Sequence, residues 1–156
     1  MEDNPQISQI ISIMLGQMNS ALKISDTISQ HLNEEKISGD SIIIGLIYRL
    51  MTPLTTEESL QSIDQGNQLL DSIFNPEESD EESDEEFNNE SDEEFNNESI
   101  IPDTYHPLKC IHCNCDICMK SRISILNYKN YESKDPLTDM FHNAIQKTCQ
   151  KYKISL

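Results

Sequence analysis

Positions 7, 11, 14, 18, 21, 25, 28 and 32 carry Ile, Ile, Met, Met, Ala, Ser, Ile and Leu, alternately four and three residues apart. That rhythm predicts one long amphipathic helix from residue 5 to about residue 33, with Ile10 and Leu22 widening its apolar stripe. Pro5 suits its first turn, where a missing N–H costs nothing. The opposite face is Ser, Gln and Asn rather than charge, a thin solvating surface for a coiled-coil-like stripe. The stripe reads first as that of an intramolecular bundle helix; cover by a partner or by a second copy, giving a homo-dimer, is the alternative expectation. Asn33 to Asp40 breaks the pattern, and Asp40 or Ser41 is the expected cap of a second helix. Ile42 to Met51 is apolar nearly all round, as befits the central element of a small core, and Pro53 ends it.

A third helix follows. Thr55 and Glu58 stand at the spacing of a capping box, and Leu60, Ile63, Asn67, Leu70 and Phe74 follow a helical stripe weakened at Gly66. Residues 1–75 thus predict a three-helix domain closed by Pro76.

The pattern then changes character. Ser-Asp-Glu-Glu-Phe-Asn-Asn-Glu occupies 83–90 and recurs at 91–98. A repeat this acidic cannot bury enough apolar surface to offset chain entropy, so residues 76–99 are expected to be a disordered acidic linker. Ser79, Ser83 and Ser91 each precede an acidic triplet, the pattern of acidophilic kinase substrates.

Charge follows the same partition. The whole chain carries −17, with 28 acidic against 11 basic residues. Positions 1–75 hold 10 acidic and 3 basic side chains, positions 76–99 hold 13 and none, and positions 100–156 hold 5 and 8. A basic protein surface is the partner that complements the linker. Phosphate binding rests on Lys and Arg, so only the last third could engage nucleic acid. There Lys120, Arg122 and Lys129 lie near Tyr128 and Tyr131, a weak basic and aromatic patch. The longest apolar run is ten residues and contains Arg49. It is short of the ~20 residues of a membrane span, so no membrane partner is expected.

The chemistry concentrates in Cys110-Ile-His-Cys113-Asn-Cys115-Asp-Ile-Cys118, two Cys-x-x-Cys steps one residue apart. A Cys-x-x-Cys turn brings two thiolates to one side of a bend, and four such donors satisfy tetrahedral zinc. Clustered cysteines in a chain opening on Met1-Glu2-Asp3-Asn4, without a positive leader, predict metal binding in an intracellular, reducing compartment rather than disulfides. Residues 100–156 are accordingly expected to be a small zinc-stabilised module, the metal supplying folding energy that a thin core cannot. Cys110, Cys113, Cys115 and Cys118 are the candidate ligands of one structural zinc ion.

Four ligands from nine residues make a tight loop, so His112, His142 and Cys149 stand as alternates, with His106 nearby. His142 and Cys149 lie about 10.5 Å apart along their helix, so at most one of them joins the cluster. That C-terminal helix opens with Asp135 as cap and Pro136 in its first turn. Asp116 opens another, with Ile117, Ser121, Ile125 and Tyr128 on one side; a short strand from Arg122 to Tyr128 is the competing reading. A thiol–disulfide catalyst on one Cys-x-x-Cys is an alternative function, but no thioredoxin-like pattern surrounds the motif. No residue set spells out a reaction, and the chain is expected to be non-enzymatic.

The Cys110 to Lys120 run, followed by Leu-Asn-Tyr-Lys-Asn-Tyr and a Phe-His helix, resembles small cysteine-cluster proteins of giant mimivirus-like DNA viruses over residues 37–75 and 105–156. The resemblance implies a viral protein located in the host cytoplasm, the virus factory or the virion. It implies no activity.

Overall fold

The computed structural model describes residues 5–75 and 102–156. Helix α1 spans Pro5–His31, α2 Gly39–Met51, α3 Thr56–Phe74, α4 Asp116–Tyr128 and α5 Pro136–Tyr152. Two short strands, β1 (His106–Pro107) and β2 (Ile154–Ser155), pair in parallel. The described residues are mainly helical, and α5 is the last helix among them. The acidic linker reading of 76–99, with its three serines, lies outside the described residues.

Local chemistry sets the helix boundaries. Ser38, not Asp40 or Ser41, caps α2. Its hydroxyl accepts from the Ser41 N–H at 3.2 Å, while Ser41 Oγ accepts from the Ser38 N–H at 2.9 Å. This is a capping box built from two serines, which satisfies donors that the helix itself leaves free. Thr55 and Glu58 form the box expected for α3, and Asp135 caps α5 with Pro136 in the first turn. The segment from Asp116 is helical, so the competing strand does not form.

Helix α2 is the hub. It packs on α1, α4 and α5, while α1 also packs on α3. Ile43 and Ile47 join Tyr128, Ile145, Cys149 and Ile154 in one core. Ile44 turns the other way, to Ile28, Ile111 and Cys118. A helix apolar nearly all round has two faces to bury, and here both are used.

The α1 stripe holds only in part. From Ala21 onward Ala21, Ser25 and Ile28 are buried as the spacing predicts. Toward the N-terminus Ile7, Ile10, Ile11 and Met18 are exposed, and Ser12 and Gly16 are buried instead. On α3, Leu60 and Phe74 are likewise exposed, whereas Ser62 and Gly66 are buried. The reason is close backbone approach. A Cβ on Gly16 would lie 1.9 Å from the Ser62 carbonyl oxygen, and one on Gly66 would lie 1.8 Å from that of Ser12. Small residues four apart on each antiparallel helix let the backbones meet, and Ser12 Oγ donates to Asn67 Oδ1 at 2.6 Å across the seam. Gly45 does the same for α2, facing Ser25 Oγ and the Ala21 carbonyl.

A prediction follows for Gly66, which sits mid-helix. In a free helix Gly→Ala gains about 1 kcal/mol in helix propensity. At this seam Gly66→Ala is expected to destabilise the protein by about 1–3 kcal/mol, the usual cost of overpacking. Thermal unfolding checks it, and a raised melting temperature would contradict the seam.

Candidate metal centre

The cysteine loop is positioned from both sides. Upstream, the Lys109 N–H donates to Asp40 Oδ1 at 2.9 Å and His106 Nε2 lies 3.3 Å from Asp40 Oδ2. Asp40 is buried at the start of α2. The Lys109 ammonium also pairs with Glu34, whose carboxylate accepts from Ser38 and Ser41. Parallel pairing of β1 with β2 fixes the same stretch, with His106 N–H donating to the Lys153 carbonyl at 2.9 Å. Downstream, Arg122 Nη1 donates to the carbonyls of Ile111 and Cys113 at 2.9 and 2.6 Å, and Nη2 to Asn114 Oδ1 at 3.1 Å. The guanidinium's planar fork clamps the loop over the first turns of α4.

Cys115 is the N-cap of α4, yet its side chain makes no capping bond. Its sulfur therefore turns to its neighbours. Cys113, Cys115, Cys118 and His31 each offer one donor atom, and the four atoms lie within 4.8 Å of one another. His31 Nδ1 is 3.0 Å from Cys118 Sγ and 3.5 Å from Cys115 Sγ. The edge of a zinc-sized tetrahedron with Zn–S of about 2.3 Å is ~3.8 Å, and the separations of these donors, from 3.0 Å to at most 4.8 Å, bracket that length. His31 and Cys115 reach the site from elements far apart in sequence: His31 ends α1, and Asn33 just beyond adopts a left-handed conformation, φ 55°, that turns the chain away.

The electrostatics fit a cation. Backbone N–H donation from Cys118, within the first turn of α4, holds the Cys115 thiol below its ordinary value. Burial pushes the Cys118 thiol up to about 12, with the neighbouring thiols adding to the rise. Three sulfurs gathered in this way resist ionising together unless a positive ion joins them. Three thiolates and one imidazole form a closed donor set that leaves no position for water on a four-coordinate ion.

The structure thus draws together three of the four expected cysteines. Cys110 is exposed and stands outside the group, as does exposed His112. His142 Nδ1 is bonded to Tyr128 Oη at 2.9 Å and its Nε2 to Gln146. Cys149 is buried in the core between α2 and α5, its thiol pushed up to about 11 by burial. His31 is the donor that spacing could not reveal, because it stands at the far end of the fold's sequence from the cysteine loop. A His in the last turn of a helix is its one local signal, and that alone reads as a helix-dipole partner.

Two cations of the basic patch are already engaged. Arg122 holds the loop, and Lys120 pairs with Asp116 at 2.9 Å. Among the described residues no helix is long and apolar enough to cross a membrane. No family model, curated protein or solved structure matches the chain.

Proposed function

We propose that this chain is a non-enzymatic protein in which one structural zinc ion, held by His31, Cys113, Cys115 and Cys118, fixes a helical scaffold for protein–protein interaction. The convergence of an α1 imidazole with three loop thiols carries the reading. Zinc is favoured over harder ions because all four donors are sulfur or imidazole nitrogen. The ion's role would be that of a staple, because its ligands bring the end of α1 to the start of α4. A reducing compartment suits the assignment, since all five thiols are free of disulfides.

The interaction surface has support of its own. Contact between Ser12 and Gly66 places the start of α1 beside the end of α3. Ile7, Ile10, Ile11, Ile73 and Phe74 are all exposed at that end. A cluster of apolar side chains on one end of a helix pair marks a protein-binding surface, and either a second copy or another protein would fit it.

Elemental analysis of protein purified without added metal tests the zinc assignment. One zinc per chain is expected. Absence of metal, or a bound ion carrying exchangeable water, would contradict it.

A further inference from the structure

A second site lies away from the metal centre, in a cavity of about 190 Å³ between α1, the end of α2 and α3. Its walls include Lys23 and Arg49, two of only three basic residues in the segment 1–75. Arg49 is 8% exposed. Its Nη1 donates to Ser20 Oγ and its Nη2 to the Thr52 carbonyl, each at 3.0 Å, and both partners are neutral. Among the described residues no carboxylate lies within ion-pairing distance of it. Glu58 is on the same wall, but its carboxylate accepts from the Thr55 N–H at 2.8 Å in the α3 capping box.

A buried guanidinium without a hydrogen-bonded counter-charge is costly, and buried charges are ordinarily paired. Two buried side-chain polar atoms lack a partner among the described residues, Arg49 Nε and Ser62 Oγ. Both residues line this cavity. A water molecule against the guanidinium would not neutralise its charge, whereas an anion accepting from the remaining Nη hydrogens would. The volume is below the ~300 Å³ at which pockets for organic ligands begin, which favours a small ion.

We propose that this cavity is a binding site for a small tetrahedral oxyanion, free phosphate, held by Arg49 and Lys23. The inference does not depend on the zinc assignment.

Arginine side-chain NMR gives a direct test, because the chain has only two arginines, Arg49 and Arg122. The full metal-loaded protein is titrated with inorganic phosphate against sodium chloride of matched ionic strength, following both Nε–H signals. The expected result is a saturable shift of the Arg49 signal alone. The curve should weaken severalfold in Lys23→Gln, a substitution at an exposed position. It should tighten in Glu58→Gln, which removes a repelling carboxylate and keeps a side chain able to complete the capping box. No saturable shift, an equal shift at Arg122, or an unchanged curve in Lys23→Gln would each overturn the proposal.

Discussion

Replacing His31 with alanine is expected to lower zinc affinity by more than ~100-fold, although His31 belongs to a different helix and a distant part of the sequence from the cysteine loop. The size follows from its place in the donor set. Losing a hydrogen-bond partner one step removed from a metal already costs ~10–100-fold, and His31 offers its own nitrogen to the ion. Cys113→Ser, Cys115→Ser and Cys118→Ser should lose metal at least as severely, because a serine hydroxyl does not ionise to replace a thiolate. Cys110→Ser should bind zinc as the parent protein does, because Cys110 stands outside the group. Competition with a chromophoric chelator reads all five variants on one scale. The parent affinity should also fall as pH falls. Metal loading displaces thiol protons, and the buried Cys118 thiol, at about 12 without metal, holds its proton throughout the neutral range. Parent-like affinity in His31→Ala would remove α1 from the site.

Withdrawing the metal is expected to loosen both ends of the chain together. Cys118 and Ile111 belong to the same core as Ile28 of α1 and Ile44 of α2. Thiolates left without their cation would have to reprotonate or move apart, and that core would open with them. Structural zinc contributes ~10–16 kcal/mol of apparent binding energy in small zinc domains. A chelator should therefore produce a large fall in melting temperature. Amide hydrogen exchange should rise in the last turns of α1 and in α2 as well as in α4. Protection lost only after residue 102, with α1 and α2 unchanged, would mean that the ion serves the cysteine loop alone.

Much of the scaffold is legible in the sequence because it rests on local chemistry. Thr55 with Glu58, and Asp135 with Pro136, satisfy helix ends within four residues, so reading them needs no tertiary knowledge. The all-round apolar character of α2 announces a central element. The α1–α3 seam is not legible, because its decisive residues are serines and glycines. Apolar periodicity weights large side chains, so it aims the stripe at Ile7, Ile11 and Leu60 and passes over Ser12, Gly16, Ser62 and Gly66. Asp40 illustrates a related limit. Its position just ahead of an apolar run suggests a cap, whereas the fold uses it to receive Lys109 and His106 from 66 or more residues away.

The metal centre divides along the same line. Cys113, Cys115 and Cys118 are close in sequence, and their spacing declares a turn with thiols on one side. The fourth donor depends on where α1 ends relative to the loop. That is a property of α2 packing between them, which no spacing encodes. The two-arm support from Asp40 and Arg122 is equally non-local on one side and local on the other: Arg122 lies nine residues from Cys113, one helical stretch beyond the loop it clamps.

X-ray absorption at the zinc edge, on the full chain loaded with one equivalent of zinc, tests the central claim most directly. Three sulfur scatterers at about 2.3 Å and one nitrogen at about 2.0 Å, with the outer-shell pattern of an imidazole that vanishes in His31→Ala, is the result expected of a site joining α1 to the cysteine loop. Four sulfur scatterers, unchanged in His31→Ala, would instead place Cys110 on the metal and confine the centre to the loop.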